Sequence, residues 1–294
     1  MSQSMPRVSI GMPVYNGERF IRKALDSLLG QTFENFELII SDNASADLTW
    51  DICCEYMALD SRVRAVRQPE NKGAMSNFEF VLGEAKCEYF MWAACDDAWD
   101  KRFLEKCVAC LDHDSNVGIV FPQGTVSSIH ISFIKMKATP RLCFSASDDA
   151  YSRIRRYILL DESSHKANVI YGLWRVVKAR YFIEVWKELA VIREGVRFSM
   201  DAVACAVVLE KNSAVQINEV LFYKYYRYIP PGHFLGRLLS IFSFNEASSK
   251  RYKGELVANN AKMLKFALKK HGAWDDKYGG ILDVYASKNS IINN

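Results

Sequence analysis

Short apolar runs alternate with stretches of helical spacing through the first 122 residues. Arg7–Met12 sets Val8, Ile10 and Met12 against Ser9 and Gly11, the period of a strand. It stops at Pro13-Val14-Tyr15-Asn16-Gly17, a turn signal. Phe20, Ile21, Leu25, Leu28 and Leu29 then share one face of a helix that Gly30 closes. Phe36–Ser41 predicts the second strand. It ends at Asp42-Asn43-Ala44-Ser45, where Ser45 or Asn43 caps a helix carrying Trp50, Ile52, Cys53 and Tyr56. Val63–Val66 predicts a third strand, with the loop Arg67–Gly73 after it and a third helix over Met75–Leu82. Tyr89–Ala94 predicts a buried fourth strand, and it runs into two adjacent carboxylates, Asp96 and Asp97. A helix follows, with Asp100 as its N-cap and Phe103, Leu104, Val108 and Leu111 at helical spacing. Val117–Phe121 is the fifth strand.

Strict alternation with short connections predicts an α/β fold, a mostly parallel central sheet with helices on both faces. Polar residues then gather at the strand carboxyl ends: Tyr15 and Asn16, Asp42 and Asn43, Arg67 through Lys72, Asp96 and Asp97. Such an edge is where open α/β sheets bind ligands, and its size suits a nucleotide. No Gly-x-Gly-x-x-Gly follows the first strand and no Gly-Lys-Ser/Thr is present, which disfavours a dinucleotide oxidoreductase or a P-loop enzyme.

Past Pro122 the periodicity weakens. Thr125–Ile134 and Leu142–Ser145 read as strands. Asp149–Leu160, Ala179–Leu189 and Phe198–Leu209 read as helices, the last capped at Ser199. Val215–Ile217 and Val220–Tyr226 read as a strand pair. A last amphipathic helix sets Leu256, Met263, Leu264, Ala267 and Leu268 against Lys262, Lys265 and Lys269, and the tail after Asp283 reads as loosely held.

Composition changes this picture in three places. No apolar run approaches the roughly eighteen residues of a membrane span, and the first seven residues lack the apolar core of a signal peptide. A cytoplasmic protein is expected, in which the eight cysteines are small buried thiols. Cys107-x-x-Cys110 falls mid-helix with no second pair and no nearby His, a poor zinc or redox site. The net charge of +4 hides an asymmetry. Residues 1–124 carry 12 basic against 19 acidic side chains, whereas residues 125–294 carry 26 against 15. The basic half suits an anionic acceptor or peripheral contact with an anionic membrane at the cytoplasmic face; solvated surface lysine explains it as well. No nucleic-acid partner is expected. Adjacent carboxylates such as Asp96 and Asp97 repel each other, and a divalent ion shared with a diphosphate would settle them.

Val8 through Gly17, then Gln31-Thr32-Phe33, Leu38 through Ser45, Asn71-Lys72-Gly73 and the Asp96-Asp97 segment resemble, in that order, the blocks of family 2 glycosyltransferases of GT-A fold. The resemblance covers residues 8–122 and fades beyond. It implies that Pro13 and Tyr15 line the base pocket and that Asp42 hydrogen-bonds base or ribose. Arg67 and Lys72 would lie near the diphosphate or donor sugar. Asp96 and Asp97 would stand for the Asp-x-Asp motif, Asp97 as main metal ligand and Asp96 as ribose partner or the reverse, with Mn²⁺ or Mg²⁺ as cofactor. The usual first Asp is replaced by Ala94. Asp201 matches the family's general base, without the usual preceding Glu; helix capping is its bland reading. His233 stands where such enzymes reach the metal or diphosphate, a lone His being as readily structural, and Trp174 and Arg175 where they meet the acceptor, Trp174 either stacking on a sugar face or buried in the core.

The implied domains are a donor half over 1–123, an acceptor half over 124–233 and a C-terminal helical extension over 234–294. The implied activity is inverting transfer of a single sugar from a UDP-, GDP- or dTDP-sugar to a glycan or lipid-linked acceptor. The Gln-x-x-Arg-Trp motif of processive members is absent. Two other readings stand beside it: a nucleotidyltransferase on a related sheet, and a nucleotide-sugar binder without turnover.

Overall fold

The computed structural model describes residues 5–130, 133–138, 143–160, 166–192, 200–225 and 246–290. The strands are β1 (Val8–Val14), β2 (Phe36–Asp42), β3 (Val63–Arg67), β4 (Tyr89–Trp92), β5 (Asp97–Trp99), β6 (Val117–His130), β7 (Phe133–Ala138), β8 (Leu173–Arg175) and β9 (Ser213–Tyr225). The helices are α1 (Ile21–Leu29), α2 (Thr49–Leu59), α3 (Ala74–Gly83), α4 (Phe103–His113), α5 (Ala150–Ile158), α6 (Val176–Ile192), α7 (Met200–Lys211), α8 (Glu246–Lys270) and α9 (Lys277–Ser290).

Among the described residues the strands form one mixed sheet in the order β3-β2-β1-β4-β8-β6-β9-β5, with β7 beside β6. The β3-β2-β1-β4 block is parallel throughout, as the alternation predicts. β8 pairs antiparallel with both β4 and β6, and β5 antiparallel with β9, while β6 and β9 run parallel. Register in the parallel block is continuous from Val8↔Phe36 to Val14↔Asp42, so Val14, Asp42 and Arg67 stand side by side at the carboxyl edge.

The chain separates into two compact units. The first holds 1–148, 168–183 and 212–226, and contains the sheet. Its core is built on Val8, Ile10, Met12, Leu38, Ile40 and Met91, all without exposed surface, with Ile21, Ala24 and Leu25 of α1 turned inward. Gly11 is required by close packing, because a Cβ there would lie 2.7 Å from Val81 Cγ2 and 2.8 Å from Phe90 Cζ. Trp92 anchors an aromatic group with Phe90 at 4.8 Å, Phe182 at 5.6 Å and Trp174 at 6.0 Å between centroids. Gln31, buried, accepts from the Leu104 amide (2.9 Å) and donates to the Asp100 carbonyl (2.8 Å). It therefore holds the start of α4 from outside that helix. Capping by Asp100 is corrected accordingly. The helix begins at Phe103, and Asp100 accepts from the Arg102 amide one turn earlier.

The second unit holds 149–167, 184–211 and 227–294. Asp149 caps α5 by accepting from the Ser152 amide (3.0 Å). Buried Arg153 donates to the Leu209 carbonyl (3.0 Å), tying α5 to the end of α7. Met263, Leu264, Ala267 and Leu268 are buried on α8, whereas Lys262, Lys265 and Lys269 are exposed, the expected amphipathic division.

Other boundaries shift. β1 runs two residues past Met12, and β4 stops two short of Ala94. The separate strands expected over 117–121 and from Thr125 onward are one strand, β6, and the expected pair over 215–226 is the single strand β9, with register irregularities near Pro122 and Gln123. Cys143–Ser145 is not a strand: Phe144 packs edge-on against Phe121 at 5.8 Å. Ser199 lies outside the described residues. The tail is not loose: α9 continues past Asp283, with Tyr278, Ile281, Leu282 and Tyr285 buried.

Candidate functional site

Loops at the carboxyl edge of the parallel block are wired to one another by short side chains. The Asn43 amide donates to the Val14 carbonyl (2.9 Å). The Asn16 amide donates to Ser45 Oγ (2.8 Å) and the Gly17 amide to Thr49 Oγ1 (2.8 Å), while Asn16 Oδ1 accepts from the Ala46 amide. Asn43 Nδ2 donates to Asn71 Oδ1 (2.8 Å) and its Oδ1 accepts from the Lys72 amide (3.1 Å). Buried Asn77 donates from beneath to the Ser41 carbonyl (2.9 Å). Asn16 and Ala44 take left-handed backbones, φ 50° and 59°. Asn tolerates this; Ala pays roughly 1–2 kcal/mol, a strain that closely bonded functional loops retain.

Asp42 sits at the centre of this edge. Its side chain has no exposed surface, and Oδ1 accepts from the Ser45 amide (3.1 Å). Oδ2 is buried without a hydrogen bond and faces Arg67 Nε at 3.5 Å. Arg67 is half exposed, donates to the Ser45 carbonyl (2.9 Å) and lies over the Trp50 ring at 5.9 Å. Burial, with the Asp42 charge adding to it, pushes the Cys53 thiol up to about 12. The edge therefore offers a buried acceptor beside a half-exposed cation. Tyr15, on the adjoining loop, is 41% exposed, Pro13 near the end of β1 is half-buried, and Lys72 is exposed. These five residues are brought together.

Asp96 and Asp97 follow β4 in a turn closed by the Asp97 amide on the Ala94 carbonyl (3.2 Å). The turn abuts the first loop, since a Cβ on Gly17 would lie 3.1 Å from Cys95 Sγ. Asp96 is half-buried. Asp97 has no exposed side-chain surface. It opens β5 directly opposite Lys224 of β9, whose Nζ stands 3.5 Å from Asp97 Oδ2 and 4.6 Å from the centre of the Tyr171 ring. A lysine of the same chain faces that carboxylate, at the distance at which Arg67 faces Asp42. A metal ion on Asp97, as the sequence reading has it, would have to share the carboxylate with that lysine. Among the described residues no three His, Cys, Asp or Glu side chains converge as a metal site.

Trp174 and Arg175 are not at this edge, and of the two readings of Trp174 the structure has burial in the core. Trp174 has no exposed surface and donates its indole N–H to the Ile170 carbonyl (3.1 Å), so it has no face for a sugar. Arg175 pairs with Tyr89 at the opposite end of β4 and donates to the Val117, Leu111 and Asp114 carbonyls. Asp201 lies in the second unit, half-buried in the first turn of α7, with Oδ1 2.8 Å from the Ala202 amide. His233 lies outside the described residues. Cys107 is fully buried and its thiol is pushed well up by burial, whereas Cys110 is half-buried with its thiol raised less by the same cause. The residues that sequence reasoning missed are Lys224 and Asn77. A lysine inside the aromatic run Phe222-Tyr223-Lys224-Tyr225 was the one available signal.

The sequence profile described as Glycosyl transferase family 2 matches residues 9–186. An uncharacterised glycosyltransferase of Rickettsia typhi is 28% identical over 216 residues, 74% of this chain and 63% of its own length. Glycosyltransferase GlyG of Streptococcus pneumoniae serotype 4 is 31% identical over 98 residues, 33% of each chain. TuaG of Bacillus subtilis, whose name places it provisionally in teichuronic acid biosynthesis, is 36% identical over 106 residues, 36% of this chain and 42% of its own. The matches thus span less than two thirds of these relatives' length. Among solved structures, S. aureus TarS 1–349 superposes with a TM-score of 0.58 at 15% identity, covering 97% of this chain and 90% of that one. The same protein has been solved with UDP-GlcNAc (TM-score 0.56, 17% identity, 93% and 74% covered). A mannosyltransferase from Pyrobaculum calidifontis, solved with GDP-Man and Mn²⁺, superposes at 0.50 with 17% identity, 99% and 85% covered. These likenesses make the sheet one of GT-A fold. A profile that covers more than half of the sequence, on a sheet of that fold, settles the family: the chain belongs to glycosyl transferase family 2.

Proposed function

We propose that the protein is an inverting glycosyltransferase that moves one sugar from a nucleotide diphosphate sugar to a glycan or lipid-linked acceptor. The observation that carries this reading is Asp42 Oδ2, a buried acceptor without a hydrogen bond at the carboxyl edge of a family 2 sheet. Leaving such an atom unmet costs roughly 1–3 kcal/mol, and a base or ribose N–H or O–H would meet it. Pro13 and Tyr15 line the same pocket, with Asp96 toward the ribose and Arg67 and Lys72 toward the diphosphate. The acceptor oxygen attacks the anomeric carbon as the bond to the diphosphate breaks, and Asp201 takes the acceptor's proton. An anion in the first turn of α7 is stabilised there by the helix dipole. Mn²⁺ or Mg²⁺ has the Pyrobaculum neighbour in its favour. The Lys224–Asp97 pair opposes it, and the steps above run without it. The exposed lysines of α8 favour a peripheral contact with an anionic surface; among the described residues no helix is long and apolar enough to cross a membrane.

The test is a thermal-shift screen of UDP-, GDP- and dTDP-sugars, followed by an assay for released nucleoside diphosphate with a glycan acceptor panel. A donor at a hundred times its Kd adds about 2.7 kcal/mol of stability. Stabilisation together with release supports transfer. Stabilisation without release across the panel would leave a binder without turnover, and no stabilisation by any donor would overturn the reading.

A further inference from the structure

The cation at the Asp-Asp motif is supplied by the chain itself. β5 and β9 pair so that Asp97 lies directly opposite Lys224. The Asp97 side chain has no exposed surface and that of Lys224 is 21% exposed. Nζ is held between two electron-rich surfaces, Asp97 Oδ2 at 3.5 Å and the face of Tyr171 at 4.6 Å to the centroid. A carboxylate buried this far requires a compensating charge, and a cation so placed requires an anion. The ring fixes the ammonium more firmly than a carboxylate alone would, as a cation over an aromatic face is attracted to it. Tyr171 is in turn stacked on Phe222, two residues before Lys224, at 5.8 Å, so the whole arrangement is packed from below. The pair lies next in sequence to Asp96, in the turn that touches the first loop of the donor edge. In a half of the chain with 19 acidic side chains against 12 basic, a fixed cation at that place is what an anionic ligand requires.

We propose that Lys224 is a donor-binding residue: it neutralises Asp97 and meets the donor's diphosphate, so that binding requires no divalent ion. The inference rests on the donor reading above. Charge that builds on a leaving diphosphate is stabilised best by a donor already in position, and a lysine locked by a carboxylate and a ring is in position before the ligand arrives.

The experiment titrates UDP against UMP, GDP against GMP and dTDP against dTMP, by calorimetry, in EDTA and in Mn²⁺. The proteins are the native chain, Lys224→Met, Lys224→Arg and the double variant Lys224→Met/Asp97→Asn. The native protein is expected to bind its diphosphate equally, within twofold, in EDTA and in Mn²⁺. Lys224→Met should weaken the diphosphate by about tenfold or more, the cost of losing a charged partner, and the monophosphate of the same base far less. Lys224→Arg should recover part of the loss. The double variant removes both buried charges, so it keeps the test open if Lys224→Met alone fails to fold. It should show the same selective loss. A native affinity that falls tenfold or more in EDTA overturns the inference and leaves the donor reading standing. So does a folded variant lacking Lys224 that binds diphosphate as the native protein does. A native chain that binds none of these nucleotides overturns both.

Discussion

Replacing Asp42 by Asn tests the donor pocket at the atom that defines it. The native carboxylate is wholly buried, uses Oδ1 on the Ser45 amide and leaves Oδ2 without a hydrogen bond. Asn keeps the shape and one oxygen for Ser45. It turns an N–H toward the place where the ligand's N–H or O–H would otherwise be accepted. The ligand then loses a hydrogen bond to a charged group, about 1.5–3 kcal/mol, or about 10- to 150-fold in Kd. The fold should lose little. The pair that disappears joins a buried carboxylate to a half-exposed Arg67, and Asn removes the buried charge together with the pair, so no uncompensated charge is left inside. Calorimetry with the nucleoside, its monophosphate and its diphosphate should show the same factor for all three, because the contact is with base or ribose. An Asp42→Asn protein that melts normally and binds the nucleoside within twofold of native refutes the assignment. A loss confined to the diphosphate would move Asp42 to the phosphates and refute it as well.

Three further outcomes follow from the structure. Gly11→Ala puts a methyl group 2.7 Å from Val81 Cγ2 and 2.8 Å from Phe90 Cζ, so chemical denaturation should show a loss of about 1–3 kcal/mol; unchanged stability would contradict that packing. Burial raises the Glu210 carboxyl above its ordinary value, against the Tyr278 hydroxyl at 3.4 Å. Its contribution to stability is therefore complete below the unfolded-state value and is lost as pH rises through the folded one. Glu210→Gln should melt higher than the native protein near pH 7 and equally near pH 4, and a gap that persists in acid would contradict the shift. Asp201→Asn should lower sugar transfer by about 10²–10⁴-fold with donor affinity and melting unchanged, whereas near-native transfer would leave Asp201 as a helix-capping residue only.

The parallel half of the fold was legible because its signals are local. Apolar runs, turn residues and helical faces alternate along the chain, and each element packs beside its sequence neighbour: β1 beside β2, β2 beside β3. Beyond Pro122 the sheet is closed by strands that pair with distant partners. β8 is three residues long, too short for a period to show, and it is inserted between β4 and β6. β6 and β9 were each divided in the sequence reading at Pro122–Gln123 and Asn218–Glu219, where polar and proline residues resemble ends. In the sheet they are irregularities within one continuous pairing.

The site divides along the same line. Asp42 was readable because its place follows from one local fact, that a strand ends there, and every strand of the parallel block ends at the same edge. Trp174 stood between acceptor contact and core burial in the sequence reading, because an aromatic residue in a short strand carries no local mark of which end of its partner it meets. The register Phe90↔Trp174 is what buries it. Asp96-Asp97 shows the same limit in its electrostatics. Two adjacent carboxylates were read as a pair that a divalent ion from outside would settle, an argument that counts only charges close in sequence. In a strand the nearest charge is set by the partner across the ladder, and for Asp97 that partner is Lys224. The two carboxylates are thus not equivalent. Asp97 is balanced by its own fold, while Asp96, half-buried in the turn, remains at the surface of the donor edge. A diphosphate arriving there would meet a lysine already neutralising one aspartate, and so only one carboxylate would repel it. On the role proposed for Lys224, that would lower the need for a metal ion through register alone, with no change in the motif that the sequence displays.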